Sequence, residues 1–356
     1  MSMSKTTELL NKIYQAKDPA VLDIEYLLSL DEENDLKQIF NFADRVRKEF
    51  CGDAIFLRGI IEFSNFCNKE CAYCGLGKFN HLLLRYRMSK EELFKSVEFL
   101  VSGNIKTVVL QSGDDLGLDS AWLAEIILAI KSRFDIAITL SVGEKTEKDY
   151  CLWRKSGADR YLLKIETSDE KLYTSMHPQM NFGQRLNCLK VLRQLGYQVG
   201  SGNIIGLPGQ TLKTLAEDIV FFKTNDFDMI GIGPFICHPA SPFAGYKKPP
   251  VSLVLKVLAL TRIVTKNTYL PATTALGSLA DDYRLQGLEC GANVLMPNFT
   301  PQPYRKLYEI YPQKKCIDEE VGSCNLCMHE ITKSLGRFID YSKADSLKQK
   351  KETIHV

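Results

Sequence analysis

The sequence has no apolar run that approaches the ~20 residues a membrane-spanning helix needs. Its first residues lack the apolar core of a secretion signal. Charge of one sign is not in excess either, since 45 Lys and Arg stand against 43 Asp and Glu. These absences argue against a membrane protein, a secreted protein and a nucleic-acid-binding protein. We therefore expect a cytoplasmic protein with neither membrane nor nucleic-acid partners.

Cysteine, in contrast, is abundant, with 11 residues in the chain. A disulfide framework is not expected in the reducing cytoplasm, so these cysteines should bind metal or lie buried as small apolar residues. Five are scattered singly and are predicted to be buried thiols: Cys51, Cys151, Cys188, Cys237 and Cys290. The other six form two close groups.

Short apolar segments alternate with helical segments from about residue 50 onward. The predicted strands are 57–63, 107–111, 136–142, 160–165, 198–205, 229–235, 268–274 and 293–297. Eight such units predict an α/β fold, a closed (βα)8 TIM barrel whose functional groups lie at the carboxyl ends of the strands. We expect an N-terminal helical extension (1–50), the barrel (51–300) and a C-terminal cysteine-bearing segment (301–356).

Local signals predict where several helices begin and end. Ser89, followed three residues later by Glu92, is typical of a helix start. Gly103, Gly157 and Gly196 each stand where a helix should stop before the next strand.

The first cysteine group, Cys67, Cys71 and Cys74, follows directly on the first predicted strand. Three thiolates on one loop can hold three irons of a 4Fe–4S cluster and leave the fourth iron open. S-adenosylmethionine (SAM) can chelate such an iron through its amino and carboxylate groups. A structural zinc site is the alternative, but the Cx3CxxC spacing is not the usual paired CxxC, and the only nearby histidine is His81. Tyr73 is expected either to shield the cluster or to lie against the adenine of SAM. The alternative is that it is an ordinary packed aromatic residue.

The cysteine motif is the signature of the radical SAM superfamily, and the chain resembles one of its families closely, the FeFe hydrogenase maturase HydE. The segments that carry the resemblance are 61–65, 85–88, 110–113, 158–163, 185–188, 206–211, 226–229, 231–235, 271–275, 291–294 and 303–305. They span nearly the whole predicted barrel in order. The longer ones are more specific than the cysteine signature.

The resemblance implies a radical SAM barrel that helps to assemble the two-iron subcluster of the FeFe hydrogenase H-cluster. In that family, the substrate is thought to be a cysteine-derived iron carbonyl cyanide complex from a sister maturase, attacked at sulfur by a 5′-deoxyadenosyl radical. It implies as partners SAM, the sister maturases, the FeFe hydrogenase pathway and an external one-electron donor.

The resemblance also implies the site residues. Those expected to bind the cofactor are Tyr73, Gln111, Ser112, Gly113, Glu166, Arg185 and Met229. Those expected to contact the substrate are Lys164, Thr273, Thr274 and Tyr308. The structural alternatives are a polar turn at 112–115, a mutual Glu166–Arg185 salt bridge and helix packing of Tyr308. The chain departs from the family at Asp114, where glutamate is more usual, and at Lys164, where arginine is frequent.

The second cysteine group, Cys316, Cys324 and Cys327, follows the last predicted strand. Three thiols within twelve positions favour a metal site. They resemble the auxiliary-cluster cysteines of some family members, which implies a candidate 2Fe–2S cluster. A zinc site completed by His329 is the alternative.

Two other functions fit parts of the sequence. One is a radical SAM mutase or sulfur-insertion enzyme of the biotin synthase and methylornithine synthase group, which would abstract hydrogen from a carbon substrate. The other is a non-catalytic iron–sulfur scaffold or electron carrier, against which the polar groups at the predicted barrel mouth argue. Formation of 5′-deoxyadenosine by the reduced protein separates an enzyme from a scaffold.

Overall fold

The computed structural model describes residues 4–315, 317 and 323–348, without the side chains of 323–327 and 329. The strands are β1 (Ala54–Leu57), β2 (Gly59–Ser64), β3 (Thr107–Ser112), β4 (Ala137–Ser141), β5 (Arg160–Leu162), β6 (Gln198–Ile205), β7 (Met229–Pro234), β8 (Val294–Leu295) and β9 (Phe338–Asp340). The helices are α1 (Lys5–Gln15), α2 (Val21–Ser29), α3 (Glu33–Cys51), α4 (Lys90–Ser102), α5 (Ser120–Arg133), α6 (Glu147–Lys155), α7 (Glu170–Met176), α8 (Phe182–Gln194), α9 (Leu212–Asn225), α10 (Val251–Thr265), α11 (Arg284–Glu289), α12 (Gln302–Lys306) and α13 (Ser323–Ser334), with a 3-10 turn at Leu276–Ser278.

The strands form a closed parallel barrel. β2 to β7 pair in chain order as one six-stranded sheet, and β1 pairs with β8 and β9 in a second sheet. β1 and β2 are consecutive parts of the first barrel strand, separated at Arg58. Single bridges join Met229 to Tyr269, Pro271 to Val294 and Ile60 to Asn298, which connects β7 through to β2. The predicted (βα)8 architecture is confirmed, and the carboxyl ends of the strands share one face of the barrel.

Two strands differ from the sequence prediction. The predicted strand 268–274 is reduced to single bridges at Tyr269 and Pro271, because proline has no N–H to continue a hydrogen-bonded ladder. β9 was not predicted; it pairs in parallel with β1 and brings the C-terminal segment back to the barrel.

The predicted helix signals are confirmed. Ser89 and Glu92 form a reciprocal capping box at the start of α4, and Gly103 caps its end. Gly157 and Gly196 follow α6 and α8 with φ of 110° and 80°, a conformation that favours glycine.

The N-terminal helices α1 to α3 share one apolar core with the barrel. Lys256 of α10 is buried and fixes the extension, since its ammonium donates to the carbonyl oxygen of Leu30 at 2.8 Å and to the carboxylate of Asp31 at 2.9 Å. Among the helices in the described part of the chain, none is long and apolar enough to cross a membrane.

Candidate functional site

The three cysteines lie on the loop between β2 and α4, at the carboxyl end of the first barrel strand. Backbone bonds hold this loop to its neighbours: Asn68 N–H donates to the carbonyl of Asp114 at 3.0 Å, and Ala72 N–H donates to the carbonyl of Met176 at 2.9 Å. Cys67, Cys71 and Cys74 all line one cavity of about 340 Å³ at the barrel mouth.

The thiols of this loop are poorly suited to being free thiolates. Burial raises the pKa of Cys67 and Cys71, and burial together with the neighbouring Cys67 raises the pKa of Cys74 to about 12. Bound iron would offset this effect, because the thiolate is the form that binds metal. No three His, Cys, Asp or Glu side chains converge on a position for a single metal ion among the residues described. A 4Fe–4S cluster does not require such convergence, because each cysteine that holds it binds a different iron.

The end of β3 lies against the cysteine loop. A Cβ added at Gly113 would stand 2.3 Å from the carbonyl oxygen of Phe66 and 2.7 Å from Cβ of Cys67, so only glycine fits there. Gln111 and Ser112 line the cavity beside it. The predicted Ser112–Gly113 element is therefore adjacent to the cysteines.

A chain of ion pairs crosses the polar side of the cavity. The carboxylate of Asp114 contacts the ammonium groups of Lys145 at 2.7 Å and Lys69 at 3.3 Å. Lys69 also contacts Glu144 at 3.2 Å, and Glu144 accepts from Nε of Arg185 at 2.6 Å. These five side chains come from four different loops or helices of the barrel face. The network prearranges charged groups where an amino acid moiety could bind.

Arg185 and Glu166 do not pair with each other, so the salt bridge considered as the structural alternative is not formed. Arg185 binds Glu144 and the backbone carbonyl of Lys164, while Glu166 pairs with the Lys164 ammonium at 2.9 Å. Burial alone would lower the pKa of Arg185, but nearby Tyr173 and the Glu144 carboxylate outweigh it and raise the pKa. Glu166 has φ of 65°, a strained conformation for a residue other than glycine and one that is frequent at functional sites.

Tyr73 is held by a buried histidine. The Nδ1 of His177 lies 2.8 Å from the carbonyl oxygen of Tyr173, which can only accept, so Nδ1 carries the proton. The Nε2 atom then accepts from the Tyr73 hydroxyl at 2.9 Å. Burial lowers the pKa of His177 to about 4, which keeps the ring neutral in this arrangement. Tyr73 thus lines the cavity in a fixed orientation, against Phe235.

Five of the predicted site residues do not line the cavity, namely Gly113, Met229, Thr273, Thr274 and Tyr308. Met229 begins β7, at the opposite end of the barrel, where its sulfur accepts from Arg58 at 3.0 Å. Gly233, Pro234 and Phe235, from the other end of that strand and just beyond it, line the cavity instead. Contact of Met229 with the cofactor stays a prediction, because β7 begins at Met229 and reaches the lining residues at its other end.

The predicted substrate residues are divided. Lys164 lines the cavity, whereas the Thr273 hydroxyl donates to the carbonyl of Ile232 at 3.1 Å, behind Gly233. Thr274 and Tyr308 are not among the lining residues; the Tyr308 hydroxyl accepts from Gln111 at 3.3 Å and is fully buried. Contact of these three with substrate remains a prediction.

Of the second cysteine group, Cys316 falls outside the described residues. Cys324 and Cys327 belong to α13, of which only the backbone is described there. The 2Fe–2S cluster and the zinc alternative both remain predictions.

Sequence reasoning missed four charged or aromatic neighbours of the site, namely Lys69, Glu144, Lys145 and His177. Lys69 stands between two of the cysteines, and Glu144 and Lys145 directly follow a predicted strand, so position alone could have indicated these three. His177 carries no such signal, because it reaches Tyr73 only through the packing of α7.

The residues present fit a 4Fe–4S cluster with SAM. The three thiols provide iron ligands, and the adjoining wall offers both cations and carboxylates for an amino acid group. Part of the wall is apolar, which suits an adenine ring, and this part includes Leu163, Ile204, Phe235 and Ile236. The roles of individual residues remain a proposal.

We expect Arg185→Lys to weaken SAM binding by about tenfold, which corresponds to about 1.4 kcal/mol. Lysine keeps the charge but cannot bind Glu144 and the Lys164 carbonyl in one planar arrangement. Isothermal titration of the iron-loaded protein with SAM measures the change. Arg193→Lys, on the exposed surface, serves as the control. Equal SAM affinities for both variants and the wild type would mean that Arg185 has a structural role only.

Comparisons with known proteins identify the family to which the chain belongs. Residues 61–222 match the Radical SAM superfamily. The FeFe hydrogenase maturase subunit HydE of Thermotoga maritima is 45% identical over 310 residues, which span 87% of this chain and 89% of that protein. 3-Methylornithine synthase of Methanosarcina acetivorans is 26% identical over 77% of each chain.

Solved structures support the same fold. A methylornithine synthase has a TM-score of 0.83 at 24% identity, over 95% of this chain and 98% of that one. The FeFe hydrogenase maturase HydG from Carboxydothermus hydrogenoformans has a TM-score of 0.79 at 22% identity, over 96% and 80% of the two chains. These identities establish the architecture alone, whereas the 45% relative establishes the family. The chain is a radical SAM enzyme and belongs to the HydE family of FeFe hydrogenase maturases.

Proposed function

We propose that this enzyme takes part in assembling the two-iron subcluster of the FeFe hydrogenase H-cluster. Its substrate is a cysteine-derived iron carbonyl cyanide complex supplied by a sister maturase. The observation that carries the proposal is the 45% identity to a HydE protein over 87% of the chain. The cavity beside the three cysteines supports it, because it combines the expected iron ligands with a charged wall.

The residues have distinct tasks in this proposal. Cys67, Cys71 and Cys74 hold three corners of a 4Fe–4S cluster. When bound, the cluster supplies one electron that cleaves SAM to a 5′-deoxyadenosyl radical. Arg185 binds a carboxylate of SAM, and Glu166 contacts the ribose or the ammonium group. Gly113 lets the end of β3 approach the cysteine loop closely.

Four cations at the site, Lys69, Lys145, Lys164 and Arg185, exceed the three carboxylates of Asp114, Glu144 and Glu166. This excess of positive charge suits a carboxylate of SAM and an anionic cyanide-bearing substrate. Lys164 is the cation on the cavity wall that the sequence assigns to the substrate.

Two measurements test the proposal. The iron-loaded protein, reduced with dithionite and given SAM alone, should release 5′-deoxyadenosine by uncoupled cleavage. Cells that express an FeFe hydrogenase with its other maturases should gain hydrogenase activity only when this protein is added. If cleavage occurs but hydrogenase activity does not depend on the protein, the maturase role is wrong.

A mutase or sulfur-insertion reaction is the second candidate, and the 26% identity to 3-methylornithine synthase of Methanosarcina acetivorans over 77% of each chain favours it. Such an enzyme abstracts hydrogen from carbon, so deuterium from a labelled substrate would appear in 5′-deoxyadenosine. Radical attack on sulfur transfers no substrate hydrogen and joins the adenosyl group to the product. Mass spectrometry of the nucleoside products distinguishes the two.

We expect the second cysteine group to be separable from SAM cleavage. Cys324→Ser should lower the iron content yet leave 5′-deoxyadenosine formation and hydrogenase maturation intact. The reason is that α13 follows the last barrel strand, and a barrel interior filled by side chains offers no route to the same substrate. Iron analysis, SAM cleavage and co-expressed hydrogenase activity measure the outcome. Unchanged iron content would show that Cys324 is not a ligand, and lost maturation in a folded variant would make the second site part of the reaction.

A further inference from the structure

Asp218 of α9 is a fully buried carboxylate that bonds to the residues directly after Glu166. Its Oδ1 atom accepts from the backbone N–H of Ser168 at 2.6 Å, from the Ser168 hydroxyl at 2.7 Å and from the Thr167 hydroxyl at 3.3 Å. Its Oδ2 atom accepts from the side-chain amide of Asn203, on β6, at 2.9 Å. One carboxylate with four uncharged donors therefore joins α9 to the segment after β5 and to β6.

The donors around Asp218 suit an ionised carboxylate. Burial raises the pKa of Asp218 to about 6, while the hydrogen bonds from Asn203, Ser168 and Thr167 act in the opposite direction. The group is therefore mostly ionised at neutral pH, and an ionised carboxylate accepts at both of its oxygens. A buried charge that has no cation costs stability, and groups with such strongly shifted pKa values cluster at functional sites.

Glu166 is the cavity residue that these bonds hold in place. Its φ of 65° is strained for a residue other than glycine. Two backbone bonds to β6 fix this conformation: the Glu166 N–H donates to the carbonyl of Gly202 at 2.9 Å, and the Ile204 N–H donates to the carbonyl of Glu166 at 3.0 Å. These bonds lie on either side of Asn203, and Asp218 binds both the Asn203 side chain and the two residues after Glu166. The Asp218 carboxylate therefore secures both segments whose contact keeps Glu166 in its left-handed conformation.

We propose that Asp218 is a positioning residue for the SAM site and acts through Glu166. The proposal rests on the proposed function, in which Glu166 contacts the ribose or the ammonium group of SAM. A strained backbone persists only where the surrounding contacts enforce it. Without the Asp218 carboxylate, the buried donors of Ser168, Thr167 and Asn203 lose their acceptor, and the backbone at Glu166 relaxes. The Glu166 carboxylate then leaves the place from which it contacts SAM, and the affinity for SAM falls.

Asp218→Ala should weaken SAM binding to the iron-loaded full-length protein by about tenfold, the effect of losing one hydrogen bond between the Glu166 carboxylate and SAM. Isothermal titration with SAM measures the affinity without turnover. In 5′-deoxyadenosine formation with dithionite, the KM for SAM should rise far more than kcat falls, because the lost contact binds SAM before and during cleavage alike. A purely structural role of Asp218 would lower the unfolding midpoint and leave the affinity for SAM unchanged.

Two further variants separate positioning from stability. Asp218→Asn should bind SAM almost as the wild type does, because its carbonyl oxygen still accepts from Ser168. Its amide can donate to Oδ1 of Asn203, which has no partner among the described residues. Asp159→Ala is the matched control, since Asp159 accepts from the N–H of Ile138 at 2.8 Å just before β5, at the end of that strand opposite Glu166. Its loss should lower stability but not SAM affinity.

A double-mutant cycle shows whether Asp218 acts through Glu166. In a Glu166→Ala background, Asp218→Ala should weaken SAM binding no further, because the group that it positions is gone. The proposal is wrong if Asp218→Ala binds SAM as tightly as Asp159→Ala does. It is also wrong if Asp218→Ala weakens SAM binding by the same factor with and without the Glu166 side chain.

Ser168→Ala replaces Asp218→Ala in the cycle if the latter does not fold. It removes the hydroxyl bond of 2.7 Å, keeps the backbone bond, and should weaken SAM binding by about threefold, again only when Glu166 is present. A wild-type protein that bound no SAM would contradict the proposed function instead. A crystal structure of the Asp218→Ala or Ser168→Ala protein would then decide the role of Asp218, since a Glu166 φ still near 65° would overturn it.

Discussion

Replacing Cys71 by serine is expected to abolish SAM cleavage by the iron-loaded enzyme. A serine hydroxyl stays protonated at neutral pH and does not replace a soft thiolate as an iron ligand. Cys71 is also the middle of the three cysteines, on a loop whose backbone is bonded to the loop after β3 and to the last residue of α7. Loss of one ligand should therefore leave a cluster that is unstable or incomplete, because the loop is held in place and cannot move to compensate. The measurements are iron and sulfide content and the rate of 5′-deoxyadenosine formation with dithionite.

Cys151→Ser supplies the matched control, because Cys151 is a partly exposed thiol on α6 that does not line the cavity. That variant should retain its iron and its activity. Wild-type cleavage by a fully iron-loaded Cys71→Ser protein would remove Cys71 from the ligand set and with it the three-cysteine assignment.

Lys314→Met should lower the free energy of unfolding by about 3–5 kcal/mol. Lys314 and Glu62 form an ion pair in which both side chains are almost fully buried, and Lys314 also donates to the carbonyl of Tyr308 at 3.1 Å. Without the ammonium, the Glu62 carboxylate keeps only donors such as Asn298, at 3.0 Å, and its charge stays buried without a cation. Anaerobic denaturant unfolding of the variant and the wild type measures the difference.

The double variant Glu62→Gln with Lys314→Met removes both charges and should recover much of the lost stability. Lys213→Met is the surface control, because Lys213 pairs with Glu217 at 3.8 Å in an exposed position, where such pairs contribute about 0–1 kcal/mol. Equal unfolding midpoints for Lys314→Met and Lys213→Met would contradict the expectation. Because Glu62 belongs to β2, the strand that leads into the cysteine loop, this pair also ties the C-terminal segment to the cluster-bearing part of the barrel.

Features that depend on neighbours along the chain could be predicted from the amino-acid sequence alone. Alternating apolar segments predicted the barrel, because strands covered on both faces must be apolar wherever they pair. The capping box at Ser89 and Glu92 fixed the start of α4 through bonds between residues three apart. The three cysteines were predictable as one group, since eight residues of a single loop contain them all.

Contacts between side chains of different βα units, in contrast, could not be predicted from the sequence and became visible in the folded barrel. A pair between Arg185 and Glu166 was only the structural alternative, and Arg185 instead binds Glu144, which follows another strand, because pairing across a barrel depends on the lateral order and register of its strands. His177 reaches Tyr73 only through the packing of α7 against the cysteine loop. Met229 begins β7 and the residues at the other end of that strand line the cavity, because a predicted strand does not specify which of its residues reach the site. Hydrogen bonds between residues close in sequence follow from the sequence itself. Contacts between loops of different βα units depend on the order and register of the strands in the closed sheet.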